Sequence, residues 1–310
     1  WSSDISSVYW MGFEIEFIDI KLSTLAIDSQ LLKSKIKNDS DIKAVFLTHA
    51  QGINGLTEEI VKCCRENDVI LIEDVCESHG VMVDNKTKAG TKGVLSCFSF
   101  YYAHHMSTIE GGMICTNDRE IYEFIRILRG HGLLREAVSE KLKKSNEEKY
   151  PDLNPQFIFT TFGFNVRNNE IGAIIGLSQL KRLDEMINKR NDNFRYFIER
   201  LPEWAYKDFE LKGQSNYAFN IILREADDSL MARLERVLNT NGVEYRRGSA
   251  GGGNQLRQPY VRSIKKFKDV DATKAAPVTD HVHFYGLYLG NYPELKKSEI
   301  DEIIEIINRV

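Results

Sequence analysis

The sequence lacks three features: a strong positive charge, a long apolar run and a paired cysteine motif. Its 41 basic and 45 acidic residues give a net charge of -4, and without a basic surface we do not expect nucleic-acid binding. No apolar segment approaches the roughly 20 residues that span a bilayer. The first residues also show no basic segment followed by an apolar one. We therefore expect a soluble, cytoplasmic protein that binds neither membrane nor nucleic acid.

The five cysteines are odd in number and form no Cys-x-x-Cys pair. This arrangement predicts neither a disulfide framework nor a zinc ribbon, so we expect reduced, mostly buried thiols and no bound metal. Internal repeats and low-complexity tracts are absent as well. A chain of 310 residues has room for one large domain and a smaller one.

Segments with strand and helix character alternate along the first part of the chain. The apolar patterns predict strands at residues 12–20, 43–48 and 69–72, and helices at 28–38, 57–67 and 119–129. Alternation of this kind is typical of a mainly parallel sheet covered by helices. One long helix is predicted from 168 to 200, and shorter elements follow, including a strand at 217–223 and helices at 228–239 and 297–308. We expect an α/β protein with a large domain at 1–200 and a small C-terminal α+β domain at 201–310.

Residues 94–118 form two short apolar segments joined by a polar connection that contains His104 and His105. In parallel sheets ligands bind beyond the carboxyl ends of the strands. That rule places Asp74, His49 and the connection on one functional edge. Taken singly, Asp74 could be only a turn former, and a single histidine is more often structural.

An ordered series of short motifs makes the sequence more specific. It comprises Ile72-Glu-Asp74, Gly90-Thr-x-Gly93, Phe98-Ser-Phe100, Glu110-Gly-Gly112, Thr116-Asn-Asp118, Arg129-Gly-His-Gly132 and Gly163-x-Asn-x-Arg167. In this order the motifs resemble the DegT/DnrJ/EryC1/StrS family of sugar aminotransferases over nearly the whole chain. The resemblance implies the fold type I architecture of enzymes that use pyridoxal 5'-phosphate. It also implies a homodimer with shared active sites and a nucleotide-linked 4-keto sugar as substrate.

The resemblance also implies roles for individual residues in cofactor binding. Asp74 matches the aspartate that keeps the pyridinium nitrogen protonated, and Ser99 matches the serine that binds the phosphate. Asn165 matches the asparagine that reaches the phosphate of the neighbouring subunit. Glu77 stands where relatives usually have glutamine, and it is expected beside the cofactor ring.

The main departure from the family lies at His104. Family aminotransferases carry a lysine six residues before the glutamate of Glu-Gly-Gly, and the same count back from Glu110 reaches His104. An imidazole cannot bind the cofactor covalently as that lysine does, but it can transfer protons near neutral pH. The same substitution marks the subgroup that removes the C3 hydroxyl from 4-keto-6-deoxy sugars by means of pyridoxamine phosphate.

His104 is therefore the expected acid/base of a lyase that releases a 3,6-dideoxy-4-keto sugar and ammonia, with L-glutamate regenerating pyridoxamine phosphate. The resemblance favours GDP-4-keto-6-deoxymannose as substrate, as in the biosynthesis of colitose for O-antigen lipopolysaccharide. An iron-sulfur dehydrase acting on a CDP sugar is the alternative, but only Cys115 follows His104. A non-catalytic relative that binds a nucleotide sugar is a second alternative.

A glycine-rich segment of the small domain, residues 244–260, offers possible substrate ligands. Guanidinium groups beside a glycine run can bind a carboxylate or a diphosphate, whereas the same pattern also fits a flexible loop with solvated arginines. His281 and His283 alternate as on one face of a strand, and either could be an ordinary strand residue. The candidate substrate ligands are Arg246, Arg247, Arg257 and His283.

Members of the resembled family have roughly eighty further residues before the point that matches Trp1, including a turn at a helix N-terminus that holds the cofactor phosphate. Nothing in residues 1–20 matches that turn. We expect the sequence to be a fragment or a natural truncation.

Overall fold

The computed structural model describes residues 1–310. The first half contains α1 (Ser2–Trp10), β1 (Ile20–Lys21), β2 (Ala26–Ile27), α2 (Ser29–Asn38), β3 (Ala44–Thr48), α3 (Glu58–Glu66), β4 (Ile70–Asp74), β5 (Leu95–Ser99), β6 (Gly112–Thr116), α4 (Arg119–Arg129) and α5 (Glu140–Lys149). The second half contains α6 (Glu170–Leu180), α7 (Leu183–Ile198), β7 (Ala218–Ile222), α8 (Asp228–Thr240), β8 (Arg246–Arg247), α9 (Pro259–Arg262), α10 (Ala272–Ala275), α11 (Pro277–Tyr285), β9 (Gly286–Gly290) and α12 (Lys297–Ile307). No helix combines the length and apolar character needed to cross a membrane.

The central sheet has the strand order β3-β4-β5-β6. The first three strands are parallel, and β6 returns antiparallel to β5. Local signals explain the helices before, within and after this sheet. Asp28, Thr57 and Asp118 each accept backbone N–H bonds at the start of the following helix, which is the usual role of such residues at the N-cap. The predicted α/β organisation is confirmed.

A second sheet, β7-β9-β8, is antiparallel throughout. Helix α7 packs on β7, and α8 and α12 contribute to the same apolar core. The largest apolar core unites this sheet with α7, where the buried rings of Phe197 and Phe219 stack with centroids 4.4 Å apart. A separate core lies between β3, β4 and the helices α2 and α3. The division into domains at residue 200 stays a prediction.

Several expected elements differ in detail. Residues 13–19 belong to no helix or sheet, and the strand expected there is reduced to Ile20–Lys21. The single helix expected at 168–200 is broken at Lys181–Arg182 into α6 and α7. The prediction of a strand around His281 and His283 is wrong. Pro277 begins helix α11, and both histidines lie on this helix.

Candidate active site

Asp74 ends β4 at the carboxyl edge of the central sheet and is only 4% exposed. The backbone N–H of Cys76 donates to its Oδ1 over 2.9 Å, so the chain turns immediately after the strand and holds the carboxylate in place. Helix α1 brings Asp4 beside it. Burial raises the pKa of Asp4, and the charge of Asp74 adds to the increase.

The connection between β5 and β6 folds back over this edge. The N–H of Thr108 donates to the carbonyl of Phe100 and the N–H of Phe100 donates to that of Gly111, both over 2.9 Å, and these bonds close the loop. At its tip the N–H of His104 donates to the carbonyl of Tyr101 over 3.0 Å. Register with β6 puts Ser99 opposite Gly112, at the start of the loop. The two strands predicted from the sequence are confirmed.

His104 lies in a mainly aromatic environment. Its ring centroid is 5.6 Å from those of Tyr101 and Tyr217, and 6.4 Å from that of His79. Burial lowers the pKa of His104, and the negative charge of Asp74 acts in the opposite direction. The ring is therefore neutral near pH 7 and can accept a proton.

His105 anchors the same loop to the segment that leads into β7. It is wholly buried, and its Nε2 donates to the carbonyl of Ser215 over 3.0 Å. Burial, with the positive charge of Arg190 as a second cause, keeps the pKa of His105 well below its usual value. The residue after His104 thus has a structural role that links the two sheets.

Glu77 follows Asp74 by one turn of chain and faces the same space. The backbone N–H of Gln51 donates to its carboxylate over 3.1 Å. Burial raises the pKa of Glu77 to about 7, that hydrogen bond opposes the increase, and the charge of Asp74 reinforces it. The side chain of Gln51 is itself fully buried, with neither polar atom hydrogen-bonded.

The structure gives different outcomes for the candidate substrate residues. Arg246 on β8 lies close to the hydroxyls of Tyr288 and Tyr217. Both raise the pKa of Arg246, and Tyr288 has the larger effect. Arg247 instead forms an ion pair of 2.8 Å with Glu235. The structure therefore points Arg246, but not Arg247, towards the site.

Arg257 and His283 are engaged elsewhere in the small domain. The guanidinium of Arg257 donates to both carboxylate oxygens of Asp280, over 2.5 and 2.7 Å. This pairing, opposed by partial burial, lowers the pKa of Asp280 to about 2. His283 lies on α11 with Nδ1 3.2 Å from the carbonyl of Gly252. Both side chains are thus engaged by groups of the small domain, and a role for them in substrate binding stays a prediction.

Asn165 lies apart from these residues. It forms a bridge with Gly130, and its side chain is exposed. The structure thus brings Asp74 close to His104 and Glu77, and Ser99 close to His79. Arg246 approaches the same area through Tyr217, whose ring lies beside His104. Sequence reasoning missed His79, Gln51 and Tyr217, which converge on the site from three loops. Only the proximity of His79 to Glu77 in the sequence could have indicated one of them.

Residues 1–308 match the DegT/DnrJ/EryC1/StrS aminotransferase family, and the chain belongs to that family. The GDP-4-keto-6-deoxy-D-mannose 3-dehydratase of Escherichia coli O55:H7 is 31% identical over 309 residues, which are 99% of this chain and 77% of that protein. These matches confirm the family that the sequence motifs suggested.

Solved structures of GDP-4-keto-6-deoxymannose-3-dehydratase have the same fold. One, with a trapped PLP-glutamate geminal diamine, has a TM-score of 0.82 and 29% identity and covers 99% of this chain and 78% of that one. Another, a histidine mutant with bound GDP-perosamine, has a TM-score of 0.81 and 28% identity over 99% of this chain and 78% of that one. The expected fold type I architecture is confirmed.

Proposed function

We propose that this protein removes the C3 hydroxyl from a nucleotide-linked 4-keto-6-deoxy sugar, with GDP-4-keto-6-deoxymannose as the favoured substrate. Pyridoxal and pyridoxamine phosphate are the cofactor forms, and L-glutamate is the amino donor. Overall, the sugar loses its C3 hydroxyl as water, while glutamate is oxidised to 2-oxoglutarate and ammonia and supplies the two electrons. The observation that carries the proposal is His104 in the position where family aminotransferases have lysine.

The residues present fit such a cofactor. The fully buried carboxamide of Gln51 has no partner for either polar atom, and the buried Nδ1 of His104 has none. Asp74 and Glu77 place two carboxylates at the same edge. Buried polar atoms are normally paired, so this set indicates a site built for a polar ligand with a ring nitrogen.

Each residue has a specific role in holding the group. Asp74 would pair with the protonated ring nitrogen, Ser99 would donate to the phosphate, and Glu77 would lie beside the ring. When bound, pyridoxamine phosphate supplies a primary amine for the C4 ketone and a conjugated ring that exchanges electrons with the sugar. Arg246, from the small domain, is suited to bind a substrate carboxylate or phosphate.

His104 supplies the proton transfers. Burial keeps its imidazole neutral, so its free nitrogen can take a proton from the reacting centre. The resulting imidazolium can give that proton to the hydroxyl that leaves C3, which departs as water. General acid/base catalysis of this kind contributes about 10²- to 10⁴-fold in rate. With no lysine at this position to hold the cofactor, elimination is favoured over transfer of the amine to the sugar.

The test is to incubate the full-length protein with pyridoxal phosphate, L-glutamate and GDP-4-keto-6-deoxymannose. We expect ammonia and a 3-deoxy sugar in equal amounts. His104→Asn should reduce the rate by about 10²- to 10⁴-fold and leave cofactor binding, followed by its visible spectrum, within about twofold of wild type. His281→Asn, on α11 and outside the site, is the matched control and should retain activity.

An aminated sugar without ammonia would show that the protein is an aminotransferase instead. Iron in the purified protein, with a matching visible spectrum, would favour the iron-sulfur alternative. Failure of the full-length protein to bind the cofactor would favour a non-catalytic nucleotide-sugar-binding protein.

We also propose that the protein acts as a homodimer. Helix α6 exposes an apolar surface, and the neighbouring segment adds a fully exposed phenylalanine. Contiguous exposed apolar patches mark interaction surfaces, and Asn165 lies in the same segment, as a residue shared with a second subunit would. The exposed residues are Phe162, Phe164, Val166, Ile171, Ile174, Leu177 and Leu180. A monomeric mass for the full-length protein in solution would contradict this proposal.

A further inference from the structure

His79 is a buried histidine that the proposed chemistry does not use. It follows Glu77 in the turn after β4 and is 3% exposed. Neither ring nitrogen has a partner in hydrogen-bonding geometry, although the Ser99 backbone lies close enough to raise the pKa of His79. Its ring packs between those of Phe98 and Phe100, with centroids 5.8 Å away in each case. A buried imidazole without partners is unfavourable, so its position beside the candidate catalytic residue needs an explanation.

Two further unpartnered nitrogens lie close to it. Nδ1 of His104 and Nδ1 of His105 are both buried and without hydrogen bonds. The ring centroids of these residues are 6.4 and 5.8 Å from that of His79. A direct N–H···N bond would bring two imidazole centroids to roughly 5 Å. The longer separations fit one bridging water molecule, which needs two to four polar partners.

The hydrogen-bonding capacity of the two outer rings determines the proton positions. His105 directs Nε2 at the carbonyl of Ser215. Since a carbonyl only accepts, Nε2 carries the hydrogen and Nδ1 is a bare acceptor. Burial and, to a smaller extent, repulsion from His104 lower the pKa of His79 to about 4. The Ser99 backbone acts in the opposite direction and raises it. A neutral His79 also offers one bare nitrogen.

A water that donates its two hydrogens to His79 and His105 can only accept from the third ring. The hydrogen of His104 must then be on Nδ1. Its Nε2 is not among the buried atoms and makes no hydrogen bond within the chain, so it is the nitrogen open to the site.

We propose that His79 is a positioning residue that, with His105, holds one water molecule against Nδ1 of His104 and thereby leaves Nε2 of His104 as the free base. The inference rests on the proposed function in that His104 is taken as the acid/base. The same water stabilises the charge that His104 gains when Nε2 takes up a proton, as the orienting group of a histidine base does in general.

The titratable and charged neighbours of His104 come from four parts of the fold. Asp74 is the one whose charge raises the pKa of His104. The groups that face the ring or its immediate neighbours are Asp74, His79, Tyr101, His105, Arg190 and Tyr217.

The test uses the full-length protein with ¹⁵N-labelled histidine, without added cofactor, and reads the tautomer of His104 by NMR. At pH 8 the wild type should show the Nδ1–H tautomer. His79→Phe keeps a ring but removes both nitrogens, and it should give a mixture of tautomers. His79→Gln restores a polar group and should recover much of the wild-type signal. His281→Phe removes a histidine outside the cluster and should change nothing at His104.

Kinetics give a second readout on the loaded enzyme. His79→Phe should lower kcat by roughly tenfold, the effect of losing one hydrogen bond to a charged group, with little change in KM. In the pH profile of kcat, the acid limb of His79→Phe should move to lower pH, because the protonated form of His104 loses stabilisation. His79→Gln should restore part of both properties.

An Nε2–H tautomer for His104 in the wild type would overturn the inference, even if His79→Phe failed to fold. A folded His79→Phe protein with an unchanged His104 tautomer would overturn it as well. The NMR readout requires no turnover, so it separates this inference from the proposed reaction. If the His104 tautomer changes in His79→Phe but the wild type releases no ammonia, the proposed reaction alone is refuted. Ammonia release without that response would refute the role of His79 alone.

Discussion

Glu77→Gln should stabilise the cofactor-free protein above neutral pH. In the folded chain the carboxylate of Glu77 has one hydrogen bond, from the N–H of Gln51, and lies beside the charge of Asp74. Burial is the main cause that raises its pKa to about 7 from an ordinary 4.5. Glutamine keeps the shape of the side chain and removes the charge that the site disfavours.

Proton linkage gives the direction and size of the effect of Glu77 on the free energy of unfolding. Between about pH 4.5 and 7 the folded protein holds a proton on Glu77 that the unfolded chain has already lost, so stability falls as pH rises through this window. At about 1.36 kcal/mol per pKa unit, the full penalty is about 3 kcal/mol, and partial solvent access reduces it to roughly 1–3 kcal/mol. Above about pH 8 the penalty no longer grows.

The measurement is urea unfolding of wild type and Glu77→Gln at several pH values from 5 to 8. The free energy of unfolding of the variant should increase relative to that of wild type as pH rises, with the smallest difference near pH 5. Glu225→Gln, at an exposed position, is the control and should follow the wild-type profile. Parallel pH profiles for wild type and Glu77→Gln would refute the reasoning, because they would show that the site does not disfavour the charge.

Three further predictions concern other charged residues. Glu73→Gln should destabilise the protein, the opposite of Glu77→Gln. Burial disfavours the carboxylate of Glu73, but hydrogen bonds from His49 and from backbone N–H groups of residues 90–93 outweigh burial and lower its pKa. That stabilisation is present above the ordinary pKa of 4.5 and is lost as pH falls through the lower folded value. The variant should therefore lose about 2–4 kcal/mol at pH 7, measured by urea unfolding, and an unchanged midpoint would contradict this. Arg257→Gln should lower the melting temperature by breaking the pair with Asp280 while KM for the nucleotide sugar stays within about twofold. Arg246→Gln should raise that KM by about tenfold, as expected for one lost charged hydrogen bond, and the reverse pattern would show that the two arginines have been assigned wrongly.

Short-range patterns predicted many of the elements. The caps Asp28, Thr57 and Asp118 could be identified because each acts on backbone groups two or three residues away. The strands around the His104 loop were predictable because apolar runs bounded by turn residues are also local. Pro277, by contrast, begins a helix over residues that alternate like a strand, and alternation over so few residues does not separate the two structures.

The sequence by itself determined the family, the alternation of strands and helices, and the histidine in the lysine position, because these depend on residue order and spacing. Only the tertiary structure decided which side chains share a site. Arg257 and Arg246 are equivalent in sequence, but Asp280, 23 residues after Arg257, engages one of them. His79 reaches His104 and His105 because sheet register and loop closure bring distant segments together. The protonation of these buried groups depends on that burial and proximity, which no local pattern specifies.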